Sequence, residues 1–330
     1  MIQNKVLVTG ATGFLGRRTT EMLLEQGFQV RALVRSPSKA DNLAHLGAEI
    51  AQGDVTDPES LKPAFQGIDY VIHAAADTSG TEQGARQVTI RGTRNILVLC
   101  ASRQVKKLVY ISSCSVYGSA DYKEGQVVDE NSPLERFPER RGIYSWAKLE
   151  AEKIVLDYMN QDKVPAVCLR PGTIYGPGGE NFSPMLGFSW KNKIFVVIHK
   201  KGFTLPLVYI DNLIQAIIAA LIQDKSTGQV YNVIDQQQVS KKEYMDKFIR
   251  KLYPGAWCFY LPYSLLSAAV SLQETLFSVL KRKPVLTKYR LISSQKPVRF
   301  DASKIITHLG WNPSFSFDQA VEQVVAQDKG

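Results

Sequence analysis

The amino-acid sequence predicts an α/β fold, with a doubly wound parallel sheet and a smaller, discontinuous lobe. In the first half of the chain, short β-branched runs alternate with segments of helical period, which is typical of a parallel sheet covered on both faces. Two of these runs, 6–8 and 108–111, are apolar throughout, as expected for strands buried on both sides. A glycine-rich stretch at 10–16 follows the first run directly, where a strand would meet a helix.

The elements can be placed from the local pattern. Strands are expected at 5–8, 29–34, 49–52, 70–73, 107–111 and 166–170. Helical segments between them include 17–26 and 88–102. After the breaker cluster at 176–179 the pattern changes, and sheet-like character returns at 207–210 and 229–234. Asp211 is expected to cap a helix over 213–221.

The composition favours a soluble globular protein of the cytoplasm. Hydrophobic residues make up 45% and charged residues 22% of 330 positions, and no apolar run reaches the ~18 residues of a spanning helix. The first predicted strand begins too near Met1 to leave room for a secretory signal. The four cysteines lack metal-ligand spacing, so no metal site is predicted, and they resemble small buried side chains in a reducing compartment.

The net charge of +9 indicates a negatively charged binding partner. Positive residues are spread along the chain, without the aromatic-studded basic stripe of a nucleic-acid binder. A phosphate-bearing ligand or an anionic surface fits this charge better than nucleic acid does.

The glycine-rich stretch predicts a phosphate cradle. Gly10, Gly13 and Gly16 lie between a strand and a helix, where a pyrophosphate must approach the backbone and the helix N-terminus supplies N–H donors. Thr12, Phe14 and Leu15 complete the candidate cradle. The alternative is a generic strand–turn–helix whose glycines only permit tight packing.

The end of the second strand predicts which dinucleotide binds. NAD sites usually place a carboxylate here to bind the ribose diol, but this strand ends Val34-Arg35-Ser36. Arg35 could bind a 2′-phosphate in bidentate geometry. The sequence therefore favours NADP, with NAD left open; the alternative is that Arg35 and Lys39 only solvate a loop.

Two later strand ends add candidate cofactor contacts. Asp54 and Val55 follow the third strand and could meet the adenine. Small side chains follow the fourth strand and would let the backbone lie against ribose and phosphate: Ala74, Ala75 and Ala76. His73 is interpreted as a packed core histidine.

Tyr144 and Lys148 form a candidate proton-transfer pair. Residues four apart share one face of a helix, and an ammonium near a phenol lowers the phenol's pKa, which is otherwise about 10. A serine-rich segment, 111–118, follows the fifth strand at the sheet edge where ligands bind, and a serine hydroxyl there could hold a substrate oxygen for the tyrosine. Taken alone, Tyr144 and Lys148 could instead be two side chains that only contact each other on the surface of a helix.

Taken together, these motifs resemble the extended short-chain dehydrogenase/reductase family. The resemblance rests on the glycine spacing, Ser113, Tyr144, Lys148 and a segment at 169–177, and a C-terminal segment at 301–313 is similar to the family's signature. It implies that Ser113 is the catalytic serine, Tyr144 the acid/base and Lys148 its modulator and a cofactor contact, with Pro171 bordering the nicotinamide.

The resemblance also sets the expected organisation. A dinucleotide-binding Rossmann domain would comprise 1–176 and 207–235, and a substrate-binding lobe would comprise 177–206 and 236–330. The segment 207–212 would bring the chain back to the main sheet. One departure stands out, because Thr89 occupies the position where the family usually has an asparagine three residues before Gly92-Thr93.

The segment 261–280 carries apolar residues at helical spacing and is followed by basic residues to 283. It would pack on the lobe's own core, line a lipophilic pocket, or contact a membrane surface peripherally through 261–283. The apolar character of this segment resembles the 3β-hydroxysteroid dehydrogenase branch of the family, which acts on sterol-like and other hydrophobic alcohols.

These observations predict an NAD(P)-dependent oxidoreductase that interconverts a secondary alcohol and a ketone on a hydrophobic, sterol- or isoprenoid-like small molecule. One alternative is a nucleotide-sugar epimerase or dehydratase with tightly bound NAD. A second is a cofactor-sensing binding protein with weak turnover. A homodimer is left open.

Overall fold

A seven-stranded parallel sheet forms the centre of the protein, which a computed structural model describes over residues 4–282 and 284–328. Its strands are β1 (Lys5–Thr9), β2 (Gln29–Val34), β3 (Glu49–Gln52), β4 (Tyr70–His73), β5 (Lys107–Ile111), β6 (Ala166–Pro171) and β7 (Val230–Val233). They lie in the order β3-β2-β1-β4-β5-β6-β7, and every neighbouring pair is parallel. The predicted doubly wound α/β fold is confirmed, with strand bounds that differ by at most one residue from those predicted for β1 to β6.

Helices cover both faces of this sheet. These helices include α1 (Phe14–Glu25), α2 (Gly92–Arg103), α3 (Ile143–Asn160) and α4 (Ile210–Ile222). Two later helices, α5 (Tyr263–Val279) and α6 (Lys288–Gln295), pack instead in a separate cluster with Ile198. Further helices are Asp41–His45, Pro58–Leu61, Pro138–Arg141, Lys241–Tyr244, Ser303–Leu309 and Phe317–Asp328. Within the described ranges, no helix is long and apolar enough to cross a membrane.

The alternation of β1 shows how the two faces are filled. Val6 and Val8 pack in the core beneath α1 and α4, whereas Leu7 packs in the core beneath α2 and α3. All three side chains are fully buried. This two-sided burial explains why residues 6–8 of the strand are all apolar.

The predicted helix over 88–102 is divided in two. A π-helical segment, Ala85–Arg91, precedes α2 and contains Thr89. Runs of π-helix are rare and occur frequently at functional sites. Periodicity alone did not indicate this change of winding.

A three-stranded sheet forms the base of the smaller lobe. Its central strand, Ile194–His199, pairs antiparallel with Gly187–Trp190 and parallel with Trp257–Pro262. None of these three strands was predicted from the sequence. We call this the lobe sheet.

Two expectations about the segment after residue 206 are wrong. Leu207–Tyr209 pairs with Thr173–Tyr175 in a separate two-stranded sheet, because β7 already occupies the position beside β6 in the main sheet. Asp211 does not cap a helix, because α4 begins at Ile210 and Tyr209 is its N-cap. The Asp211 carboxylate instead accepts hydrogen bonds from Arg18 of α1, at 2.9 and 3.1 Å.

Candidate active site

The carboxyl ends of the central strands place the predicted site residues along one edge of the sheet. Gly10 follows β1, Ala74 follows β4, and Ser113 lies two residues beyond β5. The strand order reverses direction between β1 and β4, which is where ligands bind in open α/β sheets. The topology therefore brings the candidate cradle and the candidate serine to one crevice.

Two glycines of the cradle are required by backbone packing. Gly10 has φ +70°, and a Cβ there would lie 2.9 Å from the Ala75 backbone. A Cβ on Gly16 would collide with the carbonyl oxygen of Gly10. Tight packing thus accounts for Gly10 and Gly16, whereas Gly13 has only the Gly10 carbonyl near its Cβ position, at 3.2 Å.

The start of α1 fits an anionic group. Gly13 is the N-cap and contributes no side-chain hydrogen bond, and the first turn carries no acidic residue. The first N–H groups of a helix have no partner within it, and the helix dipole favours negative charge there. A cleft of about 430 Å³ opens at this point, with Thr12, Gly13, Phe14 and Arg17 in its wall. The loop therefore fits the pyrophosphate of a dinucleotide.

Arg35 and Lys39 lie exposed beyond the end of β2. Among the residues that the structure describes, neither forms an ion pair, and β2 ends without a carboxylate. Their guanidinium and ammonium groups are therefore available to a phosphate at this edge of the sheet.

The other candidate cofactor residues are held by local contacts. Asp54 accepts a hydrogen bond from the Thr56 backbone at 2.8 Å, and Val55 is buried close to Gly92, whose Cβ position lies 2.8 Å from a Val55 methyl group. Ala75 donates its backbone N–H to Thr9 at 3.3 Å, while Ala74 and Ala76 are half-buried. Pro171 is buried opposite Val233 in the sheet.

His73 is a packed core histidine, as predicted. Its ring nitrogens lie 2.7 Å from the Thr9 hydroxyl and 3.0 Å from the Thr93 hydroxyl. Burial, together with the charge of Lys148, lowers the pKa of His73 to about 3. The ring is therefore neutral at physiological pH and does not compete with Lys148 for a proton.

Ser113 and Tyr144 meet at the edge of this crevice. Tyr144 lies in the first turn of α3, after Gly142 turns the chain with φ +126°. Burial raises the pKa of the Tyr144 phenol, and a hydrogen bond from Ser113 lowers it. The residue is nevertheless 47% exposed. Its phenol thus contacts the predicted serine while part of the ring remains accessible to a substrate.

Lys148 lies one turn further along α3 and is almost fully buried. Its ammonium donates a hydrogen bond to the Ile111 carbonyl at 2.7 Å and lies 5.5 Å from the centre of the Tyr110 ring. Burial lowers the pKa of Lys148 to about 8, while Cys168 and Glu152 act to raise it. Because Lys148 is buried, Tyr144 and Lys148 are not merely a contact on an exposed helix surface.

Thr89, at the departure from the family pattern, is enclosed by its own segment. Its hydroxyl accepts from the Asp77 backbone at 2.9 Å, and its carbonyl accepts from the Thr93 hydroxyl at 2.5 Å. Because Thr93 also meets His73, a continuous chain of hydrogen bonds runs from the π-helical segment to β1.

A buried ion pair that sequence reasoning missed connects α3 to the sheet. Arg170 of β6 donates to both carboxylate oxygens of Glu152, with distances of 2.6 to 3.2 Å, and neither side chain is exposed by more than 3%. Ser112 also donates to the Glu152 carboxylate. The sequence signal is the four-residue spacing of Tyr144, Lys148 and Glu152, which places all three on one helix face.

Arg170 extends the network toward the C-terminal part of the chain. Its guanidinium donates to the Tyr117 hydroxyl at 2.8 Å, and that hydroxyl donates to Asn232 at 2.6 Å. Asn232 donates in turn to the Asp301 carbonyl at 3.0 Å. The Glu152–Arg170 pair and these hydrogen bonds therefore connect α3 to β6, β7 and the segment after β5.

Comparisons with known proteins agree with this architecture. The model of the NAD dependent epimerase/dehydratase family matches residues 6–233. A 3beta-hydroxysteroid-dehydrogenase/decarboxylase isoform 1 from Arabidopsis thaliana is 28% identical, over 97% of this chain and 78% of its own length.

Two further similarities extend over most of the chain. A 4-hydroxy-2-methyl-3-oxo-4-farnesyl-3,4-dihydroquinoline-1-oxide ketoreductase from Stigmatella aurantiaca is 28% identical, over 84% of this chain and 81% of its own. The crystal structure of gox2253 has a TM-score of 0.82 and 26% identity, covering 99% of this chain and 98% of that one.

The substitution Glu152→Gln tests the energetic role of the buried pair. We expect it to lower the free energy of unfolding by about 3–5 kcal/mol, because it leaves the Arg170 charge buried without a counter-charge. Glu150→Gln is the matched control on the same helix; it removes an exposed pair with Lys153 and should cost less than about 1 kcal/mol. Urea unfolding of both variants measures the difference, and equal losses would contradict this role.

Proposed function

Because this chain belongs to the NAD dependent epimerase/dehydratase family and is an NAD(P)-dependent oxidoreductase, we propose that it interconverts a secondary alcohol and a ketone on a hydrophobic small molecule. The observation that carries the proposal is the placement of Ser113, two residues beyond β5, next to the helix α3, whose first turn contains Tyr144 and whose next turn buries Lys148.

In the proposed mechanism, each side chain has a separate task. Ser113 donates a hydrogen bond to the substrate oxygen and orients it toward the Tyr144 phenol. Tyr144 gives its proton to that oxygen in ketone reduction, and removes it in alcohol oxidation. A bound nicotinamide would supply or accept the hydride.

Lys148 assists because it is buried and charged below its pKa of about 8. In a site of low polarity, a positive charge one helical turn away stabilises the phenolate more than it would in water. His73 remains neutral, so among the described residues we assign the positive charge that stabilises the phenolate to the Lys148 ammonium.

The substrate class is inferred from the relatives. The names of the Arabidopsis and Stigmatella proteins refer to a hydroxysteroid and to a farnesylated quinoline oxide, each of which contains a large hydrocarbon portion. We extend this chemistry to the present chain as a sterol- or isoprenoid-like ketone.

We further propose that the preferred cofactor is NADP. The exposed Arg35 and Lys39 at the end of β2, with no carboxylate on that strand end, support a 2′-phosphate at this position. The uncapped start of α1 would hold the pyrophosphate of the same molecule.

The substitution Tyr144→Phe tests the acid/base role. With sterol- and isoprenoid-like ketones and NADPH, we expect the rate of hydride transfer to fall by about 10²–10⁴-fold, because the proton donor is lost. Tyr158→Phe, on the same helix but outside the site, is the control and should retain full activity. If the wild type reduces a ketone and the Tyr144 variant does so equally fast, the assigned role is wrong.

The cofactor preference is tested by fluorescence titration of NADPH against NADH. We expect Arg35→Ser to weaken NADPH binding roughly tenfold to a hundredfold, with little effect on NADH, because one charge-assisted contact to phosphate is lost. Arg103→Ser, an exposed arginine at the end of α2, should change neither titration. Equal binding of both cofactors to the wild type would contradict the proposal.

A further inference from the structure

The outer face of the lobe sheet carries four exposed aromatic side chains. The strand register aligns Trp190, Ile194 and Trp257 in one row across the sheet, and places Phe188 and Phe259 on either side of Val196 in the next. The four aromatic residues are 53–69% exposed. We call them the aromatic face: Phe188, Trp190, Trp257 and Phe259.

The helix α5 extends this surface. It follows the strand Trp257–Pro262 directly, and its one buried residue, Val270, packs against Ile198. Side chains alternate along a strand, so Ile198 lies on the same side of the sheet as Ile194 and Val196. The helix therefore covers one end of the sheet surface whose other end forms the aromatic face.

Four apolar residues form a stripe along the uncovered side of α5. Leu265, Leu272, Leu276 and Val279 are 52–76% exposed. Their spacings of seven, four and three residues place them on one side of a helix. We call them the leucine stripe. Clusters of exposed apolar side chains of this kind are typical of binding surfaces.

The charges around this surface are almost all positive. Segments 187–202 and 257–282 contain the basic residues Lys191, Lys193, Lys200, Lys201, Lys281 and Arg282. Their one acidic residue, Glu274, accepts a hydrogen bond from the Lys288 backbone at 3.0 Å. Lys200 is paired with Glu124, whereas Lys191 lies over the Trp190 ring at 5.5 Å. Lys283, in the basic end of the segment, lies outside the described residues.

We propose that the aromatic face and the leucine stripe dock this protein onto the surface of an anionic phospholipid bilayer. Tryptophan prefers the membrane–water interface, and apolar side chains bordered by lysine bind anionic lipid through both burial and charge. A two-fold dimer through this surface would bring identical patches together, and with them their lysines. The charge pattern therefore favours an anionic bilayer over a second copy of the chain.

Co-sedimentation with lipid vesicles tests this proposal on the full chain. We expect the wild type to bind vesicles of phosphatidylcholine and phosphatidylglycerol, to bind phosphatidylcholine alone much more weakly, and to be released by salt. The Lys191→Gln, Lys193→Gln double variant should bind on the order of tenfold more weakly. The Leu272→Ser, Leu276→Ser double variant should also lose binding.

The matched control is Leu46→Ser, which removes a leucine that is 55% exposed outside the aromatic face and leucine stripe. It should bind vesicles as the wild type does. Thermal unfolding of each variant separates lost binding from lost folding. Bromine-labelled phosphatidylcholine in the anionic vesicles should quench the fluorescence of the wild type, and quench the Trp190→Phe, Trp257→Phe double variant less.

Three results would overturn the proposal. The wild type would remain in the supernatant with anionic vesicles. The lysine and leucine double variants would bind as tightly as the wild type and the Leu46 control. Alternatively, gel filtration would show a dimer that the leucine-stripe substitutions dissociate while vesicle binding is absent, which would assign this surface to a second copy of the chain.

Discussion

The ion pair between Glu152 and Arg170 is the interaction on which the candidate active site depends. Both charges are buried, and such charges are tolerated only when they are paired and fully hydrogen-bonded. The carboxylate meets this condition through Arg170 and Ser112. Because Tyr144, Lys148 and Glu152 are four residues apart on α3, one anchor sets the register of the whole helix face against the sheet. Ser112 also links the anchor to its chain neighbour, Ser113.

The same pair shapes the electrostatics of the site. Lys148 is buried beside the Ile111 carbonyl, and burial lowers its pKa. The negative charge of Glu152, one turn along the helix, opposes that effect. His73 loses its proton instead, because it is buried near the same ammonium and has only hydroxyl partners. The buried positive charges that remain are those of Lys148 and of Arg170, and Arg170 is paired with Glu152.

The main sheet could be predicted because strands buried on both faces contain apolar runs, such as residues 6–8 of β1, and because the glycine spacing marks the first turn. The Glu152–Arg170 pair could not, since a glutamate in a helix and an arginine in a strand are ordinarily solvated, and only tertiary packing buries them together. The strand Trp257–Pro262 was missed because a half-buried strand is recognised by apolar residues that alternate with polar ones. Here the exposed positions are occupied by aromatic residues instead. The exposed sides of the lobe sheet and of α5 likewise depend on which neighbours cover them, which periodicity does not specify.

An NMR titration of the Lys148 ammonium, assigned with Lys148→Arg, measures whether the buried Glu152 carboxylate helps to keep this lysine protonated. We predict that the wild-type pKa is about 8 and that it falls further in Glu152→Gln, because removing a nearby negative charge destabilises the protonated lysine. The ordinary lysine value near 10.5 in the wild type, or the same pKa in both proteins, would contradict the account.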